Sequence, residues 1–275
     1  MSDVLIAADE LASRLGEVTL LDVRWTLAAP EAGHPAYLAG HIPGAVFVDL
    51  HHELADPTRP ATEGRHPLPA IEDLQRAARS WGVTAGRPVV VYDDSSGMAA
   101  ARAWWLLRHA GVADVRVLDG GLKAWTGERE AGSVAPADGD ITLAYGAMPV
   151  LTADEAAALP AAGALLDARA GERYRGETEP IDPRAGHIPG ALSAPTTENL
   201  DAAGRLLPAE QLRERFLALG VDPSRPVGAY CGSGVTAAHT LLALAAAGID
   251  GALYPGSWSQ WSNLTDRPVA VGSAP

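Results

Sequence analysis

Hydrophobic positions fall into two kinds of stretch along the chain. Short apolar runs at 18–23, 89–92, 115–118, 164–167 and 227–230 are bounded by polar residues, Gly or Pro. Their length and their Val and Leu content predict buried strands. Between them, apolar residues recur at three- and four-residue spacing over 71–81, over 98–110 (with Trp104 and Trp105), over 209–219 and over 235–247. That spacing predicts helices. Shorter strands are expected at 46–50, after a Pro43-Gly44 turn, and at 192–194 and 252–254. Strands alternating with helices predict a parallel α/β sheet, whose sites lie at the C-terminal ends of its strands. Tyr92-Asp93 and Tyr230-Cys231 both stand at such an end.

The pattern occurs twice. Leu20-Leu21-Asp22-Val23-Arg24 returns as Leu165-Leu166-Asp167-Ala168-Arg169, and the seven residues from Ala39 to Ala45 return unchanged from Ala185 to Ala191. Arg87-Pro88-Val89 returns as Arg225-Pro226-Val227. Leu118-Asp119-Gly120-Gly121 returns loosely as Leu253-Tyr254-Pro255-Gly256. Four matches in one order mean a duplicated domain. The expected organisation is a first copy over 1–130, a Gly-, Ala- and Pro-rich linker over 131–149, and a second copy over 150–275. His41, His187 and the Asp-x-Arg strand ends (Asp22 with Arg24, Asp167 with Arg169) occur in both copies, which predicts a bracing role.

Composition narrows the class. The 275 residues suffice for two ordinary domains, and 34 acidic against 21 basic residues give a formal net charge of −13. That charge argues against nucleic acid or an anionic membrane as the main partner. The one cysteine, Cys231, excludes an internal disulfide framework and fits a reducing compartment. The N-terminal stretch lacks a basic segment followed by an apolar one, and no apolar run reaches the roughly 20 residues of a membrane span. A cytoplasmic location is expected.

The chemistry gathers around that cysteine. A strand ends at Tyr230, Cys231-Gly232-Ser233-Gly234-Val235-Thr236 follows, and a helix begins. A loop of this kind aims backbone N–H groups and the positive end of a helix at one point, a setting that suits a sulfur anion. A lone cysteine is most often a small core residue, but a core thiol needs no glycines on either side of a serine. Aligning the copies at their tyrosines puts Asp93 opposite Cys231. The first copy is therefore expected to be catalytically silent, its carboxylate capping the following helix.

Tandem His-Ile-Pro-Gly copies, an Asp-Ala-Arg strand end and the Cys-Gly-Ser-Gly-Val-Thr loop resemble the rhodanese superfamily, in particular its two-domain sulfurtransferases. The resemblance covers nearly the whole chain. It implies two tandem rhodanese-like α/β domains. It also implies a mechanism in which Cys231 takes sulfur from a small-molecule donor, holds it as a persulfide and passes it to a thiophilic acceptor such as cyanide, a thiol or thioredoxin. Thiosulfate-preferring members typically carry basic residues in this loop; here Gly232, Ser233, Gly234, Val235 and Thr236 are all neutral, as in the branch that uses 3-mercaptopyruvate. A carboxylate donor would be held by arginines outside the loop, and the resemblance assigns that role to Arg173 and Arg184. It gives Ser233 a place in a proton relay with an acidic partner, where Asp49-Leu50-His51 sets a histidine instead. Neither His51 nor His66 is assigned a role.

Two rival readings fit the sequence less well. A phosphatase of related fold needs an arginine six residues after its cysteine, and Ala237 stands there. A non-enzymatic binding module would have no use for the loop thiol. The sequence holds no zinc-ligand cluster, phosphate-cradling lysine motif or dinucleotide fingerprint, so no metal or cofactor is expected.

Overall fold

The computed structural model describes residues 4–275. It divides into two compact units that do not follow chain order. Unit 1 takes the described residues up to Asp56, Leu68–Met148 and Ala202–Leu206. Unit 2 takes Pro57–Pro67, Pro149–Asp201 and Leu207–Pro275. Residues 131–149, expected to be a linker, belong almost entirely to unit 1. Ile141 and Leu143 are buried there, Gly139 donates to the Arg79 carbonyl and Ala144 to that of Ala110.

In unit 1 five parallel strands, β1 (Leu5–Ile6), β2 (Thr19–Asp22), β3 (Val46–Phe47), β4 (Val89–Tyr92) and β5 (Val115–Leu118), are ordered β1-β5-β4-β2-β3. In unit 2 four parallel strands, β6 (Ala164–Asp167), β7 (Leu192–Ser193), β8 (Val227–Tyr230) and β9 (Ala252–Leu253), are ordered β7-β6-β8-β9. The orders correspond strand for strand, and Val150 makes a single parallel bridge to Leu253 where β1 would lie. Every residue of β2, β4, β6 and β8 is buried, the mark of strands covered on both faces. The α/β class and the tandem architecture expected from the pattern are therefore present.

Two elements differ from expectation. The strand expected over 46–50 stops at Phe47, because Asp49 accepts from the backbone N–H groups of His51 and His52 and starts the helix Leu50–Glu53. The helix Ala153–Ala162 is not marked by periodicity, since six of its ten residues are alanine and it contains Pro160. Its start was nonetheless written in the chain as a capping box: Thr152 Oγ1 accepts from Glu155 N, and the Glu155 carboxylate accepts from Thr152 N.

The bracing groups repeat nearly bond for bond. Arg24 Nη2 donates to Asp22 Oδ2 at 2.7 Å and to the Gly40 carbonyl, while Arg169 Nη2 donates to Asp167 Oδ2 at 2.6 Å and to the Gly186 carbonyl. Burial alone would lower the Arg169 pKa, but its pairing with Asp167 outweighs burial and raises it. His41 and His187 bond through Nδ1 to the carbonyls of Tyr37 and Tyr174 and stack on those rings. Tyr92 and Tyr230 each accept, through the hydroxyl, the N–H of the residue after that histidine. These groups tie the His-Ile-Pro-Gly turn to the C-terminal end of the central strand, where each copy's loop begins.

The loop after β4 is closed on itself. Asp93 is fully buried, and its carboxylate accepts from four backbone N–H groups: Ser95 and Gly97 on Oδ1, Ala99 and Ala100 on Oδ2, all at 2.8–2.9 Å. An Asp93→Ala variant would strand those donors, and each buried unsatisfied donor costs about 1–3 kcal/mol before the loop relaxes. Asp93→Ala is expected to lower the stability of the first copy by about 3 kcal/mol, with Asp93→Asn losing less. Urea unfolding followed by tryptophan fluorescence checks this, and equal midpoints for wild type and Asp93→Ala would contradict it.

Candidate active site

In the counterpart loop of unit 2 the residue at the strand end is Cys231, buried at 1% exposure. Cys231 follows Tyr230 directly, and Gly234 caps the twelve-residue helix Val235–Ala246. The Gly234 N–H donates to Cys231 Sγ at 3.1 Å. This N–H and the helix N-terminus form a setting complementary to negative charge on sulfur. Gly234 has φ +79°, and a Cβ there would lie 2.4 Å from the Pro255 carbonyl oxygen, so glycine is required. The helix Ser257–Asn263 pins the loop from the other side. Trp258 N donates to the Cys231 carbonyl at 3.0 Å, Ser259 N to that of Gly232 at 2.8 Å, and Cys231 N donates to Ser257 Oγ at 3.1 Å. Val235 and Thr236 form the first turn of the helix, Val235 buried and Thr236 half-buried.

Arg173, on the short helix Gly171–Tyr174 after β6, reaches this loop. A methyl group on Gly232 would lie 3.5 Å from Arg173 Nη1 and 3.9 Å from Arg65 Nη1, so two guanidinium groups face the loop backbone. No pattern in the sequence marks Arg65. It stands in Pro57–Pro67, a segment of the first half of the chain that belongs to unit 2. Its backbone N–H is held by Ser259 Oγ at 2.9 Å. The same segment carries His66, also passed over, which is buried with Nδ1 2.8 Å from Ser233 Oγ. Ser233 thus has an imidazole partner within unit 2. His51, the position compared with the family's acid, lies on the Leu50–Glu53 helix of unit 1.

Arg184 is a correction. Its Nε donates to the Ser262 carbonyl, Nη1 to that of Arg267, and Nη2 to those of Trp261 and Leu264, at 2.6–2.9 Å. It caps the C-terminal end of the helix Ser257–Asn263, a place where exposed carbonyls call for a cation. Its guanidinium is committed to main chain. The second arginine beside the loop is Arg65.

Both loop-facing arginines are anchored by carboxylates. Arg173 Nη2 donates to Glu179 Oε1 at 2.7 Å and to Asp182 Oδ2 at 3.4 Å, and Arg65 Nη2 donates to Asp182 Oδ1 at 2.5 Å. Arg169 Nη1 reaches Glu179 Oε2 at 3.4 Å. Among the described residues, no group of three or more His, Cys, Asp or Glu could hold a metal ion, and no helix is long and apolar enough to cross a membrane.

Comparison with known proteins identifies the family. A rhodanese-like domain matches residues 7–128 and again 152–264. A Mycobacterium tuberculosis protein provisionally named thiosulfate sulfurtransferase SseB is 48% identical over 98% of both chains. A Pseudomonas aeruginosa protein provisionally named 3-mercaptopyruvate sulfurtransferase is also 48% identical over 98% of both chains. The crystal structure of the Escherichia coli 3-mercaptopyruvate enzyme SseA superposes with a TM-score of 0.82 at 36% identity, covering 92% of this chain and 98% of that one. With both repeats matched and relatives aligned from end to end, the chain belongs to the rhodanese family and carries two rhodanese-like domains.

Proposed function

We propose that the protein is a sulfurtransferase that moves a sulfane sulfur from 3-mercaptopyruvate, through a persulfide on Cys231, to a thiophilic acceptor such as cyanide, a small thiol or thioredoxin in a reducing cytoplasm. The observation that carries the reading is the pairing of a neutral Cys231–Thr236 loop with two guanidinium groups, Arg65 and Arg173, that face it from outside. The loop dipoles suit the reacting sulfur. The arginines suit a donor carboxylate, which a planar guanidinium grips with two donors.

In the first half-reaction the Cys231 thiolate attacks the donor sulfur. The donor's C–S bond breaks, its electron pair leaves with the carbon as the enolate of pyruvate, and that enolate takes up a proton. Ser233 is the donor of that proton and His66, at 2.8 Å, restores it. A serine hydroxyl alone is far too weak an acid or base for this, and the imidazole supplies the missing proton carrier near neutral pH. In the second half-reaction the acceptor attacks the outer sulfur, the S–S bond breaks, and Cys231 leaves as thiolate. The first copy, with Asp93 in place of the thiol, has no nucleophile for either step.

Thiosulfate is the second reading of the donor, favoured by the name of the Mycobacterium tuberculosis relative. It uses the same persulfide.

Intact-mass spectrometry after mixing with 3-mercaptopyruvate is expected to show one added sulfur, absent in Cys231→Ser, with turnover lost in that variant. No adduct with either donor would overturn sulfur transfer itself, and a higher kcat/KM for thiosulfate would overturn the donor. Arg65→Ala and Arg173→Ala are each expected to raise KM for 3-mercaptopyruvate by roughly 10- to 100-fold, the loss of a charged hydrogen-bond pair, with a smaller change in kcat. Steady-state kinetics in which kcat alone fell would contradict that role. His66→Asn is expected to lower kcat for 3-mercaptopyruvate by about 100-fold, the usual size of a general acid–base contribution. An unchanged kcat in His66→Asn would remove His66 from the relay.

A further inference from the structure

Arg65 and Arg173 do not stand free beside the loop. Six charged groups of unit 2 form one chain of contacts, running Asp167, Arg169, Glu179, Arg173, Asp182, Arg65. Three are cationic and three anionic, so the formal charge of the chain cancels. The two inner carboxylates are nearly buried, Glu179 at 3% and Asp182 at 4% side-chain exposure. A charge held that deep is screened little by solvent and keeps its influence on a neighbouring ligand.

Both loop-facing arginines give Nη2 to Asp182, and a methyl group on Gly232 would lie 3.5 Å from Arg173 Nη1, 3.8 Å from Arg173 Nη2 and 3.9 Å from Arg65 Nη1. Asp182 is held in turn by the bond from its own backbone N–H to Glu179 Oε1. One carboxylate therefore bridges two cations behind the place where a donor anion would bind, and it offsets one of their charges. The reacting sulfur adds a negative charge of its own when ionised.

We propose that Asp182 sets the charge class of the sulfur donor, making the site favourable to a monocarboxylate and unfavourable to a dianion. The inference rests on the sulfurtransferase reading above. A monoanion draws on one guanidinium edge and meets a balanced surround. A dianion brings a second charge that no cation of the chain is left to match. Asp182 acts here as a positioning and specificity residue, since its effect reaches the donor through Arg65 and Arg173.

The variant Asp182→Asn keeps an oxygen acceptor and the side-chain shape but removes the charge. It is expected to lower the ratio of kcat/KM for 3-mercaptopyruvate to that for thiosulfate by about tenfold, from the Coulomb difference of one unit charge acting on one extra charge of the donor. Asp182→Glu, which restores the charge, should keep the wild-type preference. Binding without turnover gives an independent readout: pyruvate and sulfate, as unreactive mono- and dianion, are tested for protection of Cys231 from iodoacetamide. Sulfate should protect Asp182→Asn at a concentration about tenfold lower than it protects wild type, with pyruvate changed less. A parallel fall for both donors, or an unchanged sulfate-to-pyruvate ratio, would make Asp182 a brace only and overturn the inference. Wild-type protein that forms no persulfide with either donor, while pyruvate still protects Cys231, would overturn the sulfur-transfer reading and leave the charge preference measurable.

Discussion

Backbone N–H groups that converge at the end of a buried strand need an acceptor, and what accepts them separates the two copies. In unit 1 the acceptor is built in: the Asp93 carboxylate takes four N–H groups, and nothing remains to hold or transform. Burial pushes the Asp93 pKa up, while those four donors pull the other way. In unit 2 the strand ends in a thiol that receives one N–H, from Gly234, and the rest of the loop is pinned to the helix Ser257–Asn263. Sheets of one topology thus end in a carboxylate-filled turn in one copy and in a thiol-bearing loop in the other. The two sheets share a bracing set, Asp–Arg, His and Tyr, that holds the loop origin in register whatever the loop contains.

Electrostatics then divides the labour around Cys231. The chain's net charge of −13 would repel anions at long range. Close to the loop the balance is local, because Arg65 and Arg173 face Gly232 with their partners behind them. The loop itself carries no basic residue, so under the proposed function its dipoles would serve the sulfur and the arginines of separate elements the rest of the donor.

Much of this was legible in the chain because it is local or repeated. Strands β4, β5, β6 and β8 stand on the residues that the apolar runs picked out, and Asp93 opposite Cys231 followed from aligning two tyrosines. What could not be read was whatever depends on non-local placement. Arg65 and His66 lie in the first half of the chain yet belong to unit 2, and no periodicity marks that excursion. The resemblance pointed to Arg184 across a segment, residues 177–183, that does not align without a gap. The C-terminal carbonyls of the helix Ser257–Asn263 claim it instead. Ser233 was found in sequence, but its partner was sought at position 51, where a family spacing led, and was supplied by the imidazole of residue 66.

Ser257 carries a last consequence. It has φ +53°, a conformation that costs a non-glycine residue roughly 1–2 kcal/mol, and its hydroxyl links Cys231 N to the Tyr254 carbonyl. The sheet register, which equates Val117 with Leu253 and so differs by one residue from the loose sequence match, sets Gly121 at the matching position in unit 1, at φ +57°, where a Cβ would sit 2.4 Å from the Asp93 carbonyl oxygen. Six residues separate Asp93 from its helix and three separate Cys231 from its own. A codon change that returned cysteine to position 93 would therefore meet the wrong turn length and no hydroxyl to hold it. An Asp93→Cys exchange alone would thus not reproduce the loop that surrounds Cys231.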